Sequence, residues 1–183
     1  MLTIWTIGHS TRSIDELINV LQKAGIELLV DVRRYPGSRR LPQFNSAELE
    51  QALESHGIVY RWLPSLGGRR TARAGSPNTG WQNESFRGYA DHAESEEFAE
   101  GLFELLMLAN GVKTAIMCAE LLWWRCHRRI ISDVLVSIGV NVVHIRDESS
   151  SELHSLASPA RLVDGTLSYA ADTQPGLDLL IDS

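Results

Sequence analysis

The stretch CAELLWWRCHR, residues 118 to 128, holds both cysteines of the chain, Cys118 and Cys126, with Glu120, His127 and Arg128 beside them. Three chemistries use such a cluster. A phosphatase or sulfurtransferase loop following Cys118 needs an arginine at position 124. Trp124 stands there and the arginine comes one residue late, at Arg125, so that spacing fails. A metal site would draw on Cys118, Cys126 and His127, with His9 as a fourth candidate, and these soft donors suit zinc. The C-x7-C-H spacing is not the usual two-residue knuckle, and Glu120 is out of place in a closed structural site. The third chemistry is a covalent or oxyanion-binding site. Cys126, His127 and Arg128 are expected in the first turn of a helix, where the dipole and the neighbouring cation hold a thiol as thiolate. Cys118, at a strand end with Glu120 two residues on, is an equal candidate for the reactive thiol. The structural alternative is that His127 joins Ile131, Val134 and Ile138 on an inward stripe and that both cysteines are ordinary core residues.

Other reactive side chains fall at strand exits. LTIWTI (2–7) reads as a buried strand followed by Gly8, His9 and Ser10. IELLVDVR (26–33) reads as a second, carrying Asp31 and Arg33 on one face by its period of two. A carboxylate inside such an apolar run must be paired. Asp31 is therefore either an ion-pair anchor for the following loop, or a general base, or the group that positions a binding arginine. GHS resembles part of a nucleophile elbow, but Arg12 stands where that motif needs glycine, so Ser10 is not such a nucleophile. Ser10 and the adjacent amides are instead candidates to orient an anion at the start of the first helix.

The elements that must position these groups alternate. Ser13 and Glu16 make a capping box before the stripe Ile14, Leu17, Ile18, Leu21, which ends at Gly25. A second helix runs from Asn45 or Ser46 to about His56, and IVYRWL (58–63) is a third strand. Residues 64–88 form the longest irregular stretch. Ser95 caps a helix with Phe98, Leu102, Leu105, Leu106 and Ala109 inward. KTAIMCAE (113–120) and VNVVHI (140–145) are strands on either side of a helix starting near Cys126, with Ile130, Ile131, Val134, Leu135 and Ile138 buried. ARLVDGTLSY (160–169) reads as a hairpin around Asp-Gly. The pattern predicts one α/β domain over 1–169. Its sheet is mostly parallel, of about five strands with helices on both faces, and carries a C-terminal β-hairpin; residues 170–183 form a tail. In such folds ligands bind beyond the carboxyl ends of the strands.

Composition narrows the class. Apolar content of 44% and charged content of 22% are those of a globular chain. No apolar run approaches the roughly 20 residues that cross a bilayer. The start MLTIWTIGHS lacks the layout of a signal peptide, so the cytoplasm is the expected compartment. The net charge is −6, yet residues 33–87 hold nine arginines against four glutamates. Arginine is the residue for gripping phosphate or carboxylate bidentately.

TIGHS, LLVDVRRYPGSRR, LPSLGGRR, MCAELLWWRCHRRII and the late ARLVDG.LSY follow one another as in the domain of unknown function 488 family, which this chain resembles over about residues 3 to 169. The resemblance implies an α/β domain in bacterial and archaeal cytoplasmic proteins, with no established activity. It marks His9, Ser10, Asp31, Arg33, Cys118, Glu120, Cys126, His127 and Arg128 as the family's signature positions. The expectation is an enzyme with a strand-end cleft for a phosphorylated or otherwise anionic ligand, with a nucleotide or nucleic-acid end among the candidates. Arg33, Arg39 and Arg128 would hold the anion and Ser10 would orient it. Glu120 or Asp31 would serve as acid or base, and Cys118 or Cys126 as nucleophile, with His9 and His127 alongside. The alternatives are a non-catalytic nucleic-acid-binding module built on the arginine-rich loops at 33–40 and 69–73, with Trp62, Trp81 and Tyr89 as stacking partners, and a Cys/His metal or thiol redox protein.

Overall fold

The computed structural model describes residues 1–171. Strands β1 (Thr3–Gly8), β2 (Leu28–Asp31), β3 (Val59–Trp62), β4 (Thr114–Cys118), β5 (Asn141–Ile145) and β6 (Ser151–Leu153) form one sheet in the order β3-β2-β4-β1-β5-β6. The first five are parallel, and β6 adds an antiparallel edge on β5. The sheet thus has one strand more than the sequence pattern indicates, because Ser151–Leu153 is too short and polar to register as a strand before it pairs. Strands β7 (Arg161–Val163) and β8 (Thr166–Ser168) make the expected hairpin. Asp164 and Gly165 both have positive φ (50° and 79°), the conformation a two-residue primed turn needs. Of the expected tail, residues 172–183 lie outside the described residues.

Five helices cover the sheet. Helices α1 (Ile14–Lys23) and α2 (Ser46–Glu54) lie on one face, where Leu17, Leu21, Leu49 and Leu53 pack with Ile7 and Leu29. Helices α3 (Glu84–Ala93), α4 (Glu96–Leu108) and α5 (Arg128–Ser137) contribute Tyr89, Phe98, Ile131 and Leu135 to the other core, with Ile4, Val30 and Ile116. The capping box at Ser13 and Glu16 is present. Helix α3 corrects the expectation of a structureless 64–88. Asn83 caps it, accepting from the amides of Ser85 and Phe86. The stripe Phe86, Tyr89, Ala90, Ala93 behind Asn83 is a helical signal, which Gly88 in its middle weakens.

Two further corrections concern α5. It begins at Arg128, with His127 as its N-cap and Cys126 extended (φ −138°, ψ 174°) at the end of a 3₁₀ turn, so the thiol precedes the helix instead of sitting in its first turn. Ile138 is 52% exposed, whereas Ser132 and Asp133 are buried in its place.

β1 and β2 are not neighbours, because β4 lies between them. Connections therefore leave in opposite directions around β4, and a crevice opens beyond its carboxyl end.

Candidate functional site

Cross-strand partners in a sheet point to the same face, and alternate residues to opposite faces. Asp31 pairs with Met117, while Cys118 pairs with Gly8. The polar groups at the strand ends are thereby split into two clusters on opposite faces of the sheet.

On the face of α1 and α2, Asp31 is fully buried. It accepts from Nε of Arg33 at 2.9 and 3.0 Å, from the Arg33 amide at 3.0 Å and from the Tyr60 hydroxyl at 2.8 Å. Burial, and then the Asp31 charge, hold the Tyr60 hydroxyl in its protonated form. Arg33 also donates to the Phe44 carbonyl at 2.8 Å and faces Nε2 of His9 at 3.3 Å. His9 stacks on Phe44 with centroids 4.1 Å apart and donates from Nδ1 to the Ser10 carbonyl. Burial, and then the Arg33 charge, lower its pKa to about 4, so the imidazole is neutral. This is a satisfied ion-pair network that fixes the loop after β2. It offers no free carboxylate, and neither Asp31 nor His9 lines the cavity over the thiols.

The thiols occupy the other face. Cys118, at the end of β4, and Cys126 have their sulfurs 3.3 Å apart. Arg128, only 1% exposed, directs Nε at both, 3.0 Å from Cys118 and 3.2 Å from Cys126. Its Nη2 donates to the carbonyls of Glu120 and Leu121, and its Nη1 to Thr6 Oγ1 at 3.4 Å. Gly8 makes this fold-back possible: a Cβ there would stand 1.9 Å from the Glu120 carbonyl oxygen. Burial alone raises both thiols. At Cys126 the hydrogen bond from Cys118 and the charge of Arg128 outweigh it and depress the pKa, whereas Cys118 is pushed well up by burial and by its partner thiol. The two sulfurs titrate as one pair over a shared guanidinium, which favours a single thiolate between them. His127 donates from Nε2 to the Val32 carbonyl at 2.9 Å, which leaves its Nδ1 as the acceptor. Gly68 packs directly on that ring, and a Cβ would lie 2.8 Å from Nδ1.

A cavity of about 410 Å³ opens over the sulfurs, lined by Arg33, Arg34, Arg69 and Arg125 with Tyr35, Gly68, Glu120 and His127. Of the arginines expected to hold an anion, Arg33 lines this cavity while bound to Asp31, Arg128 lies beneath it on the thiols, and exposed Arg39 is not part of the lining. Arg34, Arg69 and Arg125 take that place. All three stand inside the motifs quoted from the sequence, and Arg34 and Arg69 also in the arginine-rich loops at 33–40 and 69–73; that they meet in one cavity is what the sequence does not show. Arg69 has φ of 60°, and its carbonyl is held by Arg34 Nη1 at 2.9 Å. The Glu120 side chain is exposed at the cavity wall, and its backbone carbonyl carries the buried contact. The amides of His9 and Ser10 donate to the carbonyls of Cys118 and Ala119, so they serve strand continuity and not an anion. Ser10 does not line the cavity. Of the aromatics expected to stack, Trp81 and Tyr89 are buried at 6% and 1% exposure, whereas Trp62 is 46% exposed.

Cys118, Cys126 and His127 bring their ligating atoms within 4.8 Å of one another. A zinc ion does not fit this set well. The permanent charge of Arg128 already occupies both sulfurs and opposes a second cation there.

A family model described as "Domain of unknown function DUF488" matches residues 13–135. The chain belongs to this family. The matched region takes in both thiols and Arg128 and stops short of His9, Ser10 and the strands after α5. No curated protein and no solved structure gives a significant match. Among the described residues no helix is long and apolar enough to cross a membrane.

Proposed function

We propose that this DUF488 protein is an enzyme whose nucleophile is the Cys126 thiolate, acting on a phosphorylated or otherwise anionic ligand held in the cavity above it. The observation that carries this reading is the placement of Arg128, a buried guanidinium shared by two sulfurs at the floor of an arginine-lined cavity. A buried cation beside a thiol favours the thiolate, which is the nucleophilic form. Cys118 supports it from below as a protonated hydrogen-bond donor. Arg34, Arg69 and Arg125 offer forked donors to an oxyanion. Glu120, exposed at the wall, is the candidate proton donor to a leaving group. The cation over both sulfurs favours this reading over a metal centre.

Alkylation of the native protein tests it without knowledge of the substrate. Anionic iodoacetate should gain on neutral iodoacetamide relative to their ratio with free cysteine. Inorganic phosphate should protect, and Cys126→Ser should abolish the fast phase. Mononucleotides and short oligonucleotides used as competitors report whether the anion belongs to a small molecule or a nucleic-acid end. A rate indifferent to the charge of the reagent and to phosphate overturns the anion site.

A further inference from the structure

Behind the thiols lies a second set of buried polar groups that the cavity does not use. Thr6 Oγ1 stands 2.8 Å from His144 Nδ1, His144 Nε2 stands 2.9 Å from His154 Nδ1, and His154 Nε2 stands 2.9 Å from Asp133 Oδ1. The Tyr169 hydroxyl donates to Asp133 Oδ2 at 2.9 Å. Thr6, His144, Asp133, Tyr169 and His154 are all between 0% and 5% exposed. At the near end Arg128 Nη1 donates to Thr6 Oγ1.

The ends fix the direction of the chain. A guanidinium can only donate and a carboxylate accepts. From Arg128 the order is therefore N–H to Thr6, the Thr6 hydroxyl to His144 Nδ1, His144 Nε2–H to His154 Nδ1, and His154 Nε2–H to Asp133. Each imidazole then carries one proton on Nε2, and every group has a partner. A reversed chain would put a second donor on Thr6 and leave its hydroxyl proton without an acceptor. Bonds aligned head to tail polarise one another.

Charge gives the relay a task. When Cys126 forms a covalent adduct its sulfur becomes neutral, and Arg128, 1% exposed, keeps only neutral contacts. An uncompensated buried charge is costly. Asp133 is the one buried carboxylate joined to Arg128 through hydrogen bonds among the described residues.

We propose that Asp133, His154, His144 and Thr6 form a one-way hydrogen-bonded relay of positioning residues that holds Arg128 against the sulfurs and supplies its counter-charge when Cys126 is modified. The proposal rests on Cys126 being the working thiolate. The relay joins β1, α5, β5, the residue after β6 and the residue after β8, so the hairpin is coupled to the thiol site. Other charged groups surround it without breaking it. Trp123 stacks on His144 with centroids 4.0 Å apart and donates to Glu152 at 2.6 Å. Arg146 pairs with Glu152, and Arg129 lies over Trp81 near Tyr169. Around the thiols themselves stand His127, Arg125 and Tyr89.

The pH profile of iodoacetamide alkylation at Cys126 tests the relay in Asp133→Asn, Thr6→Val and Thr6→Ser proteins whose circular dichroism matches the wild type. Loss of positioning should raise the alkylation midpoint by about one pH unit in Asp133→Asn and Thr6→Val, with Thr6→Ser close to wild type. The sign is diagnostic, because removing a carboxylate's repulsion alone would lower a thiol midpoint. An unchanged or lowered midpoint in Asp133→Asn and Thr6→Val overturns the relay. A wild-type midpoint equal to that of free cysteine overturns instead the reading of Cys126 as a thiolate. Imidazole 15N NMR is independent of the thiols. It should show His144 and His154 protonated on Nε2, and a proton on Nδ1 of either ring refutes the relay's direction.

Discussion

At the scale of single residues, the site depends on a few atoms in tight quarters. Gly68→Ala would drive a Cβ to 2.8 Å from Nδ1 and 3.1 Å from Cγ of His127, both atoms of a rigid ring. The expected outcome is a tilted imidazole, loss of its bond to Val32 and slower alkylation of Cys126, measured as a second-order rate constant. Asp31 belongs to the opposite face and predicts a different phenotype. Asp31→Ala strands the Arg33 guanidinium, whose side chain is 9% exposed. Breaking such a pair costs about 3–5 kcal/mol, readable as a lower urea midpoint. The fast thiol of the protein that remains folded should persist. If Asp31→Ala removed that thiol reactivity without loss of stability, the assignment of Asp31 to structure would be wrong.

At the scale of elements, α1 starts where Ser13 and Glu16 satisfy each other's backbone amides, at 3.1 Å and 2.6 Å. Ser13→Ala should cost about 1 kcal/mol of global stability and leave the thiol chemistry unchanged, since α1 packs on the face away from Cys118. Helix α5 works differently. Its buried side carries Arg128, Ser132 and Asp133 as well as Ile130, Ile131 and Leu135, so one helix supplies both ends of the relay. The 3₁₀ turn Trp123–Arg125 in front of it brings Cys126 back over Cys118.

At the scale of the whole molecule, burial lowers the pKa of His9, His92, His127 and His144 below the ordinary histidine value. Unfolding restores a pKa near 6.5, so below that pH the unfolded chain takes up protons that the folded chain refuses. Stability is present in full above about pH 6.5 and is lost as the pH falls toward about 4, the folded value for His9. Each unit of depression corresponds to about 1.4 kcal/mol. Urea midpoints measured across this window should fall steadily on acidification. A flat profile would mean that these rings are not buried neutral.

The sequence by itself determined the class of fold, the hairpin at Asp164 and Gly165, the cap at Ser13 and the gathering of both cysteines in the segment 118–128. Those features rest on local rules, namely apolar periodicity, turn chemistry and the clustering of reactive types. It placed Asp31, His9 and Cys118 at strand ends but together, and tertiary register separated them. Within a strand, parity tells which residues share a face; which face of β2 matches which face of β4 depends on the pairing of Asp31 with Met117. The buried pairing of Arg128 with both sulfurs, the meeting of the arginines at 34, 69 and 125 in one cavity and the relay from Thr6 to Asp133 were likewise beyond local pattern. They join residues up to 138 positions apart, and only packing decides which distant polar groups are shut together away from water.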